Sequence, residues 1–275
     1  MATTTWNPSD KNAAIALSNG NRTATSSAGS GTVNAAVRAT TAISATTKQY
    51  FEVTVSAYGG TLAQYFSIGV MNSAASLSAN MGATNGAALV SWLSAGSTRT
   101  YINGTISTTT YPNFYPGVVI RVAVDRAANK IWWAANNDIW SGSSVWIGSG
   151  ATGDDPATGT GGASISAVTG TIYPALSSAW TGDVAVINGG TTAFAYAIPS
   201  GFAGLDGTSA RATLVASEQW IMPNADARAT QVLLEMWAPG GTTTPRAVAT
   251  LVALEMWGDT GLAVTQQQAR AWIMA

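Results

Sequence analysis

The sequence predicts an all-β protein, with one sandwich domain over residues 1–205 and an array of short repeats over 206–275. Three observations carry this. Apolar and polar residues alternate in short segments, those segments are separated by turn-forming residues, and the C-terminal region repeats an eleven-residue pattern that ends in Trp.

The alternation is clearest at Tyr50-Phe51-Glu52-Val53-Thr54-Val55-Ser56, which places Phe51, Val53 and Val55 on one face and Tyr50, Glu52, Thr54 and Ser56 on the other. A period of two marks a strand with one buried face. Similar segments follow at Tyr65 to Met71, Ala87 to Leu93, Arg99 to Ile106, Val118 to Asp125, Lys130 to Ala134, Ile172 to Ser177 and Val184 to Ile187. Gly, Asn, Pro and Ser clusters lie between them, the pattern of a sandwich or barrel. Asn103-Gly104 sits between short apolar runs and predicts a type I′ hairpin, because both residues tolerate positive φ. Asp125 to Lys130 suits a slightly longer hairpin. Gly148 to Gly170, rich in Gly, Thr and Ala, reads as a long exposed loop.

Beyond Phe202, the segments Ala210 to Trp220, Ala227 to Trp237 and Ala247 to Trp257 align without gaps. Leu262 to Trp272 is a degenerate fourth copy that keeps Thr265 and Trp272 at the same separation. Ala, Leu, Glu and Met favour a helix, but a dozen residues make a marginal one, and Pro223, Pro239 and Pro245 interrupt the connections. Strands are the preferred reading. Both faces would then be partly apolar and need burial by neighbouring repeats or other chains.

Composition narrows function. Charged residues are 9% of the chain, against roughly 25% in an average globular protein. With a net charge of -1 there is no basic field for nucleic acid. No Cys and no His occur, which removes thiolate nucleophiles, imidazole bases and the commonest zinc ligands. A paired-carboxylate mechanism remains, but Glu52 lacks strand partners in a Glu-x-Asp-x-x-Glu pattern, so no catalytic residue, metal or cofactor is expected. No run is long and apolar enough for membrane insertion. The stretch from Met1 to Pro8 lacks a signal peptide's basic and apolar regions, so synthesis in the cytoplasm is expected.

Trp132, Trp133, Trp140, Trp146 and Trp180 invite a sugar-stacking reading. Trp132 and Trp133, adjacent in one strand, must face opposite ways. Trp140 and Trp146, beside the Gly-rich loop, are the preferred ligand candidates, together with Asp154 and Asp155. Trp220, Trp237, Trp257 and Trp272 recur at one repeat position and are expected to serve assembly.

Several of these segments resemble a known family. Lys48 to Val55, Ser67 to Val70, Gly117 to Asp125 and Lys130 to Trp133 are similar to successive core strands of SPRY domains. Ile172 to Ser177, Asp183 to Gly190, Phe194 to Tyr196 and Pro199 to Phe202 are similar to the family's closing segment, with Gly189 where Phe is usual. The resemblance spans roughly Trp6 to Leu205. It implies a concanavalin A-like antiparallel β-sandwich that binds proteins or glycans through loops at one edge, without common catalytic residues. The C-terminal units resemble short repeats of predicted tailed-bacteriophage structural proteins. Together these imply a virion protein of tail- or head-fibre type, homo-oligomeric (a trimer would fit) and attached to other virion proteins, whose sandwich binds a host-surface glycan or protein. The alternatives are a decoration or connector subunit without host binding and, less favoured, a glycan-degrading enzyme.

Overall fold

The computed structural model describes residues 3–29, 34–59, 65–92, 97–112, 115–135, 146–150 and 153–207, and the strands within 213–216, 232–237, 248–252 and 270–271. The chain divides into two compact units, Met1–Gly207 and Thr208–Ala275.

The first unit is a sandwich of two sheets. One contains β1 (Trp6–Lys11), β4 (Ala35–Ala39), β6 (Phe66–Asn72), β7 (Gly86–Trp92), β8 (Ser97–Ile102), β9 (Thr105–Ile106), β10 (Tyr111–Pro112) and β14 (Ile172–Ser178). Its order is β1-β4-β14-β6-β7-β8-β10, with β9 on β8, and every pairing is antiparallel. The other contains β2 (Ile15–Ser18), β3 (Thr23–Ser26), β5 (Lys48–Ala57), β11 (Val119–Asp125), β12 (Lys130–Ala134), β13 (Ala163–Ser164), β15 (Val184–Asn188) and β16 (Ala203–Gly204). Its order is β13-β12-β11-β5-β15-β3-β2. β16 lies parallel to β5 at Gln49 and Tyr50, just beyond the stretch that β15 occupies.

Between the sheets lies a core that includes Trp6, Phe51, Val53, Val55, Phe66, Ile68, Leu89, Val122 and Trp133. The indole N–H of Trp133, on one sheet, donates to the Ile68 carbonyl oxygen of the other at 3.1 Å.

Both outer faces are covered as well. Residues of 73–85 lay Ala75, Leu77 and Met81 over Ala36, Met71, Ala88 and Val90. Buried Arg38 holds this cover: its guanidinium donates to the Asn72 and Ala75 carbonyls at 2.9 Å and to both Asp10 oxygens at 2.7 Å. On the other sheet, Phe194, Ile198 and Phe202 pack with Trp146 over Tyr50, Ala123 and Trp132. The alternation of β5 therefore does not leave a wet face there, and Tyr50 and Glu52 are buried. Trp132 and Trp133 do face opposite ways, and both are buried because each face has its own cover.

The Asn103-Gly104 hairpin forms with φ of 42° and 89° at its centre, and Asp125 pairs with Lys130 around the second turn. Residues 148–170 depart from the expected exposed loop. They include β13, and Ala163, Ile165 and Val168 are buried in the main core. At Gly189, Thr4 fills the side-chain space: a Cβ there would meet the Thr4 Cβ at 2.6 Å. Thr4 in turn donates from its backbone N–H (2.7 Å) and hydroxyl (2.5 Å) to Asp206.

In the second unit, β17 (Thr213–Ala216), β18 (Val232–Trp237), β19 (Val248–Val252) and β20 (Arg270–Ala271) form an antiparallel sheet in that order. The described residues of the repeats are strands.

Candidate binding end of the sandwich

Strand registers sort the connections between two ends of the sandwich. Ser178 lies opposite Ala35, Ser177 opposite Ser67, Trp92 opposite Ser97 and Val184 opposite Thr25 and Ala57. The connections β3–β4, β5–β6, β7–β8, β10–β11 and β14–β15 therefore meet at one end, from which β12 also departs. At the opposite end lie the tight turns and the two covering segments.

The first end gathers polar atoms without partners. Asn34 Oδ1, Ser97 Oγ and Trp180 Nε1 are buried and lack a hydrogen bond among the described residues. Asn34 immediately precedes Ala35, the partner of Ser178, and Trp180 follows Ser178 by two residues, so an acceptor and a donor sit at the end of the same ladder. The Trp180 residue itself is half-buried, and Tyr115, in the β10–β11 connection, is 49% exposed, the one large hydrophobic so exposed among the described residues. Buried groups are ordinarily satisfied, and exceptions call for a ligand, a water or strain.

Asp183 organises the floor of this end. Its carboxylate accepts from the Ser178 hydroxyl (2.6 Å) and the Gly59 N–H (2.9 Å). Burial raises the carboxyl above the ordinary range, although both hydrogen bonds pull it down. The nearby Tyr58 hydroxyl is pushed up, first by burial and then by the Asp183 charge.

The described ligand candidates Trp146, Asp154 and Asp155 make the following contacts. Trp146 is half-buried, edge-on to Tyr50 with centroids 6.5 Å apart. The buried Arg121 guanidinium stands 5.1 Å from the Trp146 ring centre and 4.6 Å from that of Tyr196. Burial lowers the Arg121 pKa, while Tyr50, Tyr196 and Glu52 oppose that shift. Asp154 is buried and accepts from the Ser149 N–H and hydroxyl. Asp155 accepts from the Ala157 N–H and the Thr158 hydroxyl. The two acids thus hold separate partners, and no group of three metal-ligating side chains occurs among the described residues. Trp140, Trp220, Trp257 and Trp272 lie outside the described residues, whereas Trp237 ends β18 opposite Val248.

Glu52 is the acid that a hydrolytic reading would need. It accepts instead from the Tyr50 hydroxyl at 2.7 Å and from the backbone N–H groups of Ala195 and Tyr196 at 2.8 and 3.0 Å. Its task is to hold the cover of the outer face.

Among solved structures, the chain is similar to the SPRY domain of human HERC1, with 14% identity over 68% of this chain and 99% of that one and a TM-score of 0.49. It is also similar to the PSpry domain of TRIM65 (12% identity, 68% of this chain and 92% of that one, TM-score 0.46). A third similarity is to stonustoxin, at 15% identity over 67% of this chain and 28% of the toxin chain, with a TM-score of 0.44. No family model and no curated protein matches the sequence.

What reading the sequence missed in this sandwich is the placing of Trp180 and Asn34 at the end of one ladder. Tyr115-Pro116-Gly117 gave a usable signal, an aromatic residue placed directly before a turn.

Proposed function

We propose that the chain is a binding protein of the virion-fibre kind, whose sandwich recognises a neutral host-surface glycan or protein through the end bearing Tyr115 and Trp180, and whose repeats build the assembly. The observation that carries this is the coincidence, at one end, of exposed aromatic surface with a donor on Trp180 and an acceptor on Asn34 that find no partner among the described residues. Such a set suits a ligand that offers both hydroxyl groups and an apolar face. Little charge is needed, in keeping with the 9% of charged residues. The resemblance of the repeats to those of tailed-bacteriophage proteins supports the virion setting.

The test is a glycan array and a host-cell binding assay on the full chain, repeated with Trp180→Ala. Saturable binding lost in the variant supports the proposal. A blank result from a chain that still assembles favours a decoration or connector subunit.

A further inference from the structure

The C-terminal sheet carries a regularity that neither its sequence nor its strand order displays alone. Let each repeat be numbered from 1 at Ala210, Ala227, Ala247 and Leu262. Position 4 is then Thr213, Thr230, Thr250 and Thr265, and position 9 is Glu218, Glu235, Glu255 and Arg270. Thr213 lies opposite Glu235, Glu235 opposite Thr250 and Thr250 opposite Arg270. Leu234, at position 8, lies opposite Leu214 and Leu251, both at position 5. At every junction the paired positions add to 13. One register serves the whole array.

That this total is odd has a geometric consequence. Opposed residues of an antiparallel pair share a face, and successive residues of a strand alternate faces. Position 4 of one repeat thus shares a face with position 9 of the next, and position 4 of the next lies on the other face. Passing from repeat to repeat reverses the strand and turns it over. The operation is a half-turn about a line across the strands, combined with a step of about 4.8 Å. Such a screw repeats indefinitely. A two-fold axis behaves differently, because it keeps equivalent positions of two antiparallel strands on the same face and so requires paired positions to add to an even number. Two copies of β17, or two of β20, cannot join in the register of the array. β17 of one copy and β20 of another can.

We infer that copies of this chain associate head to tail through the C-terminal sheet, β17 of one copy pairing with β20 of the next in the array's own register. The inference rests on the reading of the repeats as the assembly element. It makes the contact heterologous, which produces a ring where the rotation closes and a fibre where it does not, and excludes a dimer joined through two like edges. The ends of a sheet invite such addition, and here the occupant is specified, since each end presents the positions that the inner repeats already satisfy. Thr213 of one copy then stands opposite Arg270 of the next, with Cα atoms about 4.5–5.5 Å apart.

The absence of Cys from the parent chain makes a direct test clean. T213C and R270C chains, each first shown by size-exclusion chromatography with light scattering to match the parent, are co-expressed and mildly oxidised. The expected result is a covalent dimer from the mixture, little from either variant alone, and little from L214C mixed with R270C, where the positions add to 14. An oligomer in which T213C alone, or the L214C mixture, cross-links as well as the T213C mixture overturns the head-to-tail register and leaves assembly through the repeats standing. A parent chain that is monomeric overturns both.

Discussion

The two ends of the sandwich solve opposite problems. At the end with the tight turns, connections fold back over the sheets and their polar groups are consumed: Arg38 gathers the carbonyls of Asn72 and Ala75, and Glu52 gathers the N–H groups of Ala195 and Tyr196. One cover is held by a buried cation and the other by a buried anion. At the other end, Asn34, Ser97 and Trp180 retain buried polar atoms without partners among the described residues, as Trp6, Arg99 and Arg121 do elsewhere. On the proposed function, the difference separates stability from recognition in one scaffold.

The largest effects should come from the closed end. Glu52→Ala strips three donors of their acceptor and leaves Arg121, its partner across the ladder, without a counter-charge. Breaking such a buried arrangement costs about 3–5 kcal/mol. Urea unfolding should show that loss, and the Ala195 and Tyr196 amides should lose hydrogen-exchange protection. Arg38→Ala should cost a similar amount on the other face. A loss below about 1 kcal/mol for both would show that the covers are held by apolar packing alone.

An intermediate effect belongs to Asp183. Its carboxyl is raised by burial, so between the ordinary carboxylate value and the raised one the folded chain keeps a proton that the unfolded chain has lost. Stability contributed by this group is therefore present at low pH and lost as pH rises through that window. Asp183→Asn should flatten this part of the stability–pH curve; an unchanged curve would place the dependence elsewhere. The Tyr50 and Tyr58 hydroxyls are also raised, chiefly by burial, and add a second fall above about pH 10, which Tyr58→Phe should reduce.

How much of this was legible depended on the distance over which each feature is made. The alternating strands from Tyr50 onward and the Asn103-Gly104 hairpin are local, and they form as their residues dictate. The first strands escaped notice because Trp6-Asn7-Pro8-Ser9-Asp10-Lys11 and Thr23-Ala24-Thr25-Ser26 carry few large apolar residues. They acquire their places by pairing with strands far along the chain, β1 with β4 and β3 with β15. The covering of Tyr50 and Glu52 depends on Phe194 to Phe202, and no local pattern announces a partner so distant. The packing of Trp146 against Arg121 and Tyr50 was hidden for the same reason, since it arises only in the fold. The repeats were legible in sequence, but the register that gives them direction was not.

The smallest effects on stability, and the most informative, concern the tryptophans on either side of the comparison. Trp180→Ala should cost about 1 kcal/mol, the ordinary cost of a single substitution, because its indole is half-buried. Trp146→Ala should cost about 1–2 kcal/mol through lost aromatic and cation–π contacts. The decisive measurement is the affinity of both variants for host cells or for a glycan found on the array. Trp180→Ala is expected to weaken binding at least about 30-fold, the loss of a central aromatic contact, with Trp146→Ala binding as the parent does. Full binding by Trp180→Ala, together with loss in a stably folded Trp146→Ala, would contradict the account and move recognition to the covered face.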